Sequence, residues 1–321
     1  PAPGVAAAVA ETIPGLRLYS DLTEAKLTEA IARREGVPAS CVLCGNGSDE
    51  NLLLAIRAFC DEQTPLAFAD ITYSFYPVLC QLLHVPARIL PLRQDFTIAL
   101  EAYHGLGCTI VIANPNAPTG LLAPVAEIEQ VVRANPDHVV IVDEAYVDFA
   151  GEGASCLPLT QRYDNLLVVR TFSKSRNLAG ARLGYCVGHP DLIADMNRVK
   201  FSYSPYNINS MSEAAGAAAM ADEAYFQKTI AAICAARADT TRGLRQRGFR
   251  VLDSATNFLF ATTDRMPCAA IFAALREKGV LIRRFDAPRI DNWLRITIGT
   301  PQQMERFFTA LDEVLAGTSA E

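Results

Sequence analysis

One lysine of this chain lies where an amine could perform covalent chemistry. Lys174 follows the apolar run Leu166–Arg170 and has small and hydroxyl-bearing neighbours. An amine that forms an imine must be held in a dry pocket that disfavours its charged form. The other four lysines stand in helical, charged contexts that are typical of surface residues: Lys26, Lys200, Lys228 and Lys278. Lys174 is therefore the candidate nucleophile.

A carboxylate ends a second apolar run. Asp143 closes the segment VVIVD and precedes Glu144, Ala145 and Tyr146. A half-buried carboxylate is costly unless it meets a cation. A protonated pyridine nitrogen is one such cation, and the ion pair would strengthen the ring as an electron sink. The alternatives are a turn cap or a magnesium ligand, and the absence of a GxxxxGK[ST] loop argues against magnesium.

A glycine-bearing turn, Gly45–Asp49, enters the predicted helix Asp49–Cys60. Its backbone N–H groups and the positive end of the helix dipole could hold a phosphate. Such turns are common, and the third glycine of a dinucleotide fingerprint is absent, so the turn alone is weak evidence. A fourth segment, Asn114–Gly120, is by itself only a polar turn after an apolar run.

Strand and helix signals alternate along the first two thirds of the chain. This alternation predicts an α/β fold with a doubly wound sheet, whose ligands bind at the carboxyl ends of the strands. The predicted strands are Leu66–Ala69, Cys108–Ala113, Val139–Asp143, Leu166–Arg170 and Tyr185–Gly188. The predicted helices are Thr23–Glu35, Asp49–Cys60, Ala126–Asn135 and one long helix from Ser212 to Arg247. After about residue 215 the pattern indicates a smaller α+β domain.

The composition excludes several classes of protein. Half of the 321 residues are hydrophobic and a fifth are charged, which predicts a folded soluble protein. The net charge of −6 argues against nucleic-acid partners, and no apolar run approaches the roughly 18–20 residues of a membrane span. Nine scattered cysteines predict reduced thiols in the cytoplasm. Cys41 and Cys44 form a CxxC without a second pair or nearby histidines, so a metal or redox role is not favoured.

The four strand-end segments, in this order, resemble those of the fold-type I pyridoxal-phosphate aminotransferases, and among them the histidinol-phosphate aminotransferase family. The resemblance runs from about Leu18 to the final helix. Its most specific pieces are VDEAY, LRITIGT, and the pair of Lys174 with Arg182 eight positions later. It implies a large cofactor-binding domain, 18–215, with a mostly parallel doubly wound sheet. A smaller α+β domain on the substrate side would comprise 1–17 and 216–321.

The resemblance also implies how the cofactor, pyridoxal 5′-phosphate, is bound. Lys174 matches the residue that holds it as an aldimine and then shuttles the proton. Asp143 matches the partner of the pyridine nitrogen, and Tyr146 the hydroxyl beside O3′. The other matching residues are Tyr73, which stacks on the ring, and the phosphate ligands Gly47, Ser48, Asp49, Thr171, Ser173 and Arg182. Tyr19 matches a tyrosine lent across a homodimer interface.

Substrate recognition is implied for two arginines. Arg295 matches the residue that clamps a substrate carboxylate, and Arg283 the one that meets the phosphate of histidinol phosphate. A solvated basic loop is the alternative for Arg283. One departure concerns O3′: the family's asparagine before the PTG turn is Ala117 here. Either Asn116 or Asn114 reaches in, or Tyr146 holds O3′ alone.

The implied reaction is ping-pong transamination of histidinol phosphate and 2-oxoglutarate to imidazole acetol phosphate and glutamate, a step of histidine biosynthesis. Its partners are small molecules, an amino donor and a 2-oxo acid. An aromatic or other amino-acid aminotransferase is the nearest alternative, and a threonine-phosphate decarboxylase a more distant one. The missing third glycine argues against a dinucleotide-binding oxidoreductase, and the lack of a basic DNA-binding domain argues against a transcription regulator.

Overall fold

The computed structural model describes residues 1–317, which contain two β-sheets flanked by helices. The strands are β1 Val42–Gly45, β2 Leu66–Ala69, β3 Ala87–Leu90, β4 Thr109–Ala113, β5 Val140–Asp143, β6 Leu166–Thr171, β7 Gly184–Gly188, β8 Phe249–Val251, β9 Phe258–Thr263, β10 Arg283–Arg284 and β11 Leu294–Thr297. The helices are α1 Val5–Thr12, α2 Ala25–Glu35, α3 Ser48–Phe59, α4 Phe75–Leu83, α5 Val125–Ala134, α6 Pro190–Tyr203, α7 Ser210–Ala221, α8 Glu223–Gln246, α9 Cys268–Glu277 and α10 Pro301–Gly317. None of these helices has both the length and the apolar character required to cross a membrane.

The large sheet has seven strands in the order β1-β7-β6-β5-β4-β2-β3. Strands β2 to β6 pair in parallel, whereas β7 pairs antiparallel with both β6 and β1. The prediction of a mostly parallel, doubly wound α/β sheet is therefore confirmed. The central strands β4, β5 and β6 are buried at every position, because helices cover both faces of a parallel sheet. Strands β1 and β3 were not predicted, and β3 lies at the exposed edge.

The two faces of the large sheet bury separate apolar clusters. Ile110 and Ile112 of β4 point to the cluster that includes α2, whereas Val111 points to the one that includes α3 and α4. Because side chains alternate along a strand, each central strand fills both layers. This packing fixes the strand ends, where the polar segments begin.

The smaller sheet is antiparallel, in the order β10-β11-β9-β8, and has its own apolar cluster with α9 and α10. The prediction of one long helix from Ser212 to Arg247 is wrong, because the chain breaks between α7 and α8. The break lies at Asp222, whose carboxylate accepts a hydrogen bond from the Tyr225 backbone N–H at 3.0 Å. Such a cap satisfies the free N–H groups of a new helix, so it starts α8 there.

Lys200 of α6 is not the surface residue that its sequence context predicts. Its side chain is only 2% exposed, and its amine donates to both carboxylate oxygens of Glu24 at 2.9 Å. Buried charges persist only when paired, and this partner lies 176 positions away in the chain. The other three of these lysines are exposed, as predicted: Lys26, Lys228 and Lys278.

Candidate active site

The carboxyl ends of the central strands surround a cavity of about 240 Å³. Parallel strands end at one edge of a sheet, so segments far apart in the sequence converge there. Nine of the residues singled out from the sequence line this cavity: Ser48, Asp49, Tyr73, Asp143, Tyr146, Thr171, Ser173, Lys174 and Arg182. The four strand-end segments thus form one site.

Lys174 follows β6 and points into this cavity. Its amine lies 5.5 Å from the centre of the Tyr146 ring. Burial lowers the pKa of the Lys174 amine, and the positive charge of Arg295 lowers it further. A lowered pKa increases the fraction of the neutral, nucleophilic form at a given pH. The environment therefore suits an amine that forms a covalent bond.

Asp143 at the end of β5 is a buried carboxylate without a cation. Burial raises the pKa of this carboxyl to about 6. Two hydrogen bonds oppose the shift: the Tyr76 hydroxyl donates at 2.7 Å and the Ala145 backbone N–H at 3.1 Å. No basic side chain within residues 1–317 forms an ion pair with it. A cationic ring nitrogen in the cavity would supply the missing charge.

Tyr76, which the sequence analysis missed, holds Asp143 in place. Its ring is fully buried, and it lies one helical turn after Tyr73 in the segment ITYSFY. The rings of Tyr73 and Tyr76 meet edge to face at 5.6 Å. Tyr76 therefore contacts both Tyr73 and the Asp143 carboxylate.

Replacing Tyr76 by phenylalanine is expected to raise the pKa of Asp143 further, because the lost hydrogen bond favours the ionised form. A cationic ring would then be held less well near neutral pH. We expect roughly tenfold weaker binding of pyridoxal phosphate at pH 7 and a smaller deficit at pH 8.5. Absorbance titrations at the two pH values measure this. A deficit that does not depend on pH would show that Tyr76 acts only through packing.

The turn before α3 is shaped to hold an anion. Gly47 has a left-handed φ of 88°, and a Cβ there would lie 2.7 Å from Nη2 of Arg182. A Cβ at Gly184 would lie 2.3 Å from the Ser48 nitrogen, so both positions require glycine. Arg182 contacts Asp49 at 3.2 Å. Free N–H groups of the first helical turn and a guanidinium together favour a phosphate.

The polar turn after β4 does not send an asparagine into the cavity. The side chain of Asn114 bonds the backbone of Ala123 in both directions. The Asn116 amide donates to the Ile71 carbonyl and to Thr119. Neither asparagine side chain lines the cavity, whereas Ala117 and Tyr146 do. Of the two alternatives for O3′, this arrangement favours Tyr146 alone.

A second cavity, of about 370 Å³, adjoins the first across Tyr73 and Ala117, which line both. Arg283 and Arg295 line it and are directly paired residues of the β10–β11 ladder. Paired residues of antiparallel strands project side by side from one face, so two like charges meet here. Burial lowers the pKa of Arg295, and its Nε is buried without a hydrogen-bond partner among the described residues. The arrangement is that of an anion site.

Tyr19 lies outside both cavities of its own chain. Its side chain is 83% exposed and stacks on Tyr206, with 4.8 Å between the ring centres. Large apolar side chains near it in the sequence are also exposed: Ile13, Leu16, Leu18 and Leu22. Within one chain, Tyr19 therefore does not complete the site.

A buried polar network behind the cavity was also missed. Arg170 precedes Thr171 on β6 and points to the opposite face, where it pairs with Glu144 at 3.0 Å and with Glu35 at 3.4 Å. Glu144 in turn follows Asp143. The ion pair thus joins the ends of β5 and β6 at the points where the cavity residues begin. Residues 1–317 contain no group of three or more histidine, cysteine or acidic residues that could hold a metal ion.

Known proteins match this chain along nearly its whole length. Residues 1–311 match the family described as aminotransferase class I and II. Histidinol-phosphate aminotransferase 1 of Methylococcus capsulatus is 45% identical over 321 residues, 100% of this chain and 89% of the relative. Histidinol-phosphate aminotransferase 1 of Pseudomonas aeruginosa is 45% identical over 97% of this chain and 88% of its own length.

A solved structure has the same fold. Histidinol-phosphate aminotransferase of Sinorhizobium meliloti, in complex with pyridoxal 5′-phosphate, superposes with a TM-score of 0.90 and 26% identity. The match covers 99% of this chain and 88% of that one. Together with the sequence relatives, it places this chain in the class I and II aminotransferases and, within them, in the histidinol-phosphate aminotransferase family.

Proposed function

We propose that this protein is a pyridoxal-phosphate-dependent aminotransferase that converts histidinol phosphate and 2-oxoglutarate to imidazole acetol phosphate and glutamate. The observation that carries the proposal is one continuous site. A desolvated amine and a buried carboxylate without a cation share the first cavity, and two paired arginines line the adjoining one. The curated relatives with that name support the choice of substrate.

The residues present fit the cofactor. The Gly47 turn and Arg182 would hold its phosphate, and Asp143 would pair with its ring nitrogen. Tyr73 would lie against the ring, and Tyr146 beside O3′. Thr171 and Ser173 add hydroxyl groups at the phosphate end, where the Ser173 N–H already donates to Thr171 at 3.1 Å. When bound, pyridoxal phosphate supplies the electron sink that makes the substrate Cα proton acidic.

The chain's own residues perform the remaining tasks. Lys174 would hold the cofactor covalently and release it when a substrate amine takes its place, and its freed amine would carry the proton between Cα and C4′. Its lowered pKa suits both the covalent bond and the proton transfer. Arg295 binds the α-carboxylate of glutamate by a planar, bidentate contact. Arg283 binds the distal phosphate of histidinol phosphate. The two half-reactions use one site in turn, which makes the mechanism ping-pong.

The proposal is tested by single half-reactions followed through the cofactor absorbance. Histidinol phosphate, phenylalanine, tyrosine and threonine phosphate are each mixed with the loaded protein. We expect histidinol phosphate to convert the cofactor fastest. Conversion by phenylalanine or tyrosine but not by histidinol phosphate would identify an aromatic aminotransferase. Release of carbon dioxide from threonine phosphate would identify a decarboxylase.

Arg283→Ala tests the phosphate contact. We expect kcat/KM for histidinol phosphate to fall about 100-fold, because a charge-assisted contact to a phosphate is lost. The half-reaction with glutamate should change less than about threefold. Arg284→Ala is the matched control, since that side chain bonds the Asp291 carbonyl within its own loop. Equal losses for the two substrates would mean that Arg283 does not bind the phosphate.

We further propose that the protein is a homodimer in which Tyr19 reaches the partner's cofactor phosphate. The proposal is supported by the exposed Tyr19 and its exposed apolar neighbours, since such patches mark interfaces. Sedimentation should give twice the mass of one chain, and Tyr19→Ala should weaken cofactor binding. A fully active monomer would contradict this proposal.

The domain division is also a proposal: a large domain of 18–215, and a small one of 1–17 with 216–321. It is supported by the separate apolar cluster between Leu244 and Leu315. Positions 318–321 lie outside the described residues. A cytoplasmic location is proposed from the biosynthetic role and from the nine cysteines, which are all free.

A further inference from the structure

We propose that Arg289 is a positioning residue: together with Asp70, it anchors the loop 285–293 to the large sheet and thereby sets the width of the substrate cavity. The proposal rests on the proposed function, because the width of the cavity matters through the binding of the substrate. Arg289 lies between β10 and β11 and does not itself line the cavity. It would act through its loop neighbours.

The Arg289 guanidinium reaches across to the loops that follow β2 and β3. Its Nη1 donates to the Leu92 carbonyl at 3.1 Å and lies 3.4 Å from Oδ2 of Asp70. Its Nη2 donates to the Arg93 carbonyl at 2.5 Å. The guanidinium also lies over the Phe96 ring, at 5.3 Å. One side chain thus joins two parts of the chain that are about 200 positions apart.

Asp70 is itself held in place by the backbone that follows β2 and β3. Its other oxygen accepts hydrogen bonds from the backbone N–H groups of Ile71 and Leu92, both at 2.8 Å. Its own N–H donates to the Leu90 carbonyl. Every donor and acceptor here belongs to the ends of the parallel pair β2–β3. Arg289 is therefore fixed to the sheet rather than to a mobile loop tip.

Both anchored segments line the second cavity: Asp70 to Tyr73 after β2, and Phe285 and Ile290 of the loop. The centre of the Phe285 ring lies 5.4 Å from the Arg283 guanidinium and 5.7 Å from that of Arg295. A shift of the loop would move Phe285. The distance between Phe285 and the segment Asp70 to Tyr73, which the substrate must fit, would then change.

The backbone conformation of Arg289 indicates that its contacts hold the loop in place. Its φ is 71°, in the left-handed region that arginine rarely adopts. Strain of this kind persists where surrounding contacts over-determine the conformation. Glycine adopts this φ freely, so Arg289→Gly removes the anchor and relieves the backbone at once. This separates loss of the contacts from a simple folding defect.

The test compares Arg289→Met and Arg289→Gly with the control Arg276→Met, which removes an exposed arginine of α9, all as cofactor-loaded protein. For both Arg289 variants we expect KM for histidinol phosphate to rise about tenfold, with kcat within about threefold and cofactor affinity unchanged. Hydrogen exchange should quicken in 285–293, where the Ile290 and Trp293 N–H groups bond within the loop. Arg276→Met should change neither KM nor exchange in the loop.

Three outcomes would overturn the proposal: an unchanged KM, unchanged exchange in 285–293, or the same changes in Arg276→Met. A fall in cofactor affinity equal to the rise in KM would also overturn it, because the effect would then be general destabilisation. If the wild-type protein does not convert histidinol phosphate, the proposed function fails. Loop exchange, and KM for whichever donor is converted, still decide the role of Arg289.

Discussion

Lys174→Ala is expected to lower the rate of transamination by about four orders of magnitude or more, because in the proposed mechanism this one side chain supplies both the covalent attachment and the proton transfer. The cofactor should still bind, since the Gly47 turn, Arg182 and Asp143 remain. Steady-state rates and cofactor absorbance measure the two effects separately. In the wild-type protein, borohydride should fix the cofactor on the peptide that contains Lys174.

The matched control is Lys26→Ala, which removes an exposed lysine and should leave the rate unchanged. Small amines added to Lys174→Ala should restore part of the proton transfer, because they supply the missing base in the same cavity. A variant that keeps more than about a hundredth of the wild-type rate would contradict the assignment of Lys174. Borohydride labelling of Lys200, whose amine is paired with Glu24, would contradict it too.

The core of the site could be predicted because its geometry follows from strand direction. Apolar runs of four to six residues indicated the parallel strands, and residues at the ends of such strands must meet at one edge. Lys174 and Asp143 were found in this way, from the polarity change at a strand end. The resemblance to a family then supplied roles that polarity alone could not.

Partners that are distant in the chain could not be predicted. Tyr76 meets Asp143 across 67 positions, and Glu35 meets Arg170 across 135. Such pairs depend on how helices pack on the sheet, and no local pattern records that packing. The same limit explains the error at Lys200, whose charged helical context matches that of a surface residue.

The pairing of Arg283 with Arg295 could be predicted only in part. Both residues were identified, but their proximity depends on the register of a hairpin with a nine-residue loop. A register shifted by one residue would place Arg295 on the opposite face. The structure therefore adds what the sequence lacked: the two guanidinium groups lie side by side, and both lie close to the Phe285 ring.

Asp143→Asn is expected to lower kcat by roughly three orders of magnitude while making the cofactor-free protein more stable at neutral pH. The amide cannot neutralise a cationic ring nitrogen, so the electron sink weakens. The folded-state pKa of Asp143 is about 6, above the ordinary value of 3.8. Its contribution to stability is thus fully present below about pH 4 and is lost as the pH rises through 6.

Above pH 6 the wild-type protein therefore bears the cost of a buried charge that the amide avoids. The shift of about two pKa units means that Asp143→Asn should raise the free energy of unfolding by at most about 3 kcal/mol at pH 8. This stabilisation should vanish near pH 4, where the wild-type carboxyl is protonated. Denaturant unfolding of the cofactor-free proteins at both pH values measures it, with the exposed Asp137→Asn as control. Pyridoxal phosphate should reverse the order, because its ring nitrogen pairs with the wild-type carboxylate alone. A variant less stable than wild type at pH 8 without cofactor would mean that Asp143 is not held as a desolvated charge awaiting a cation.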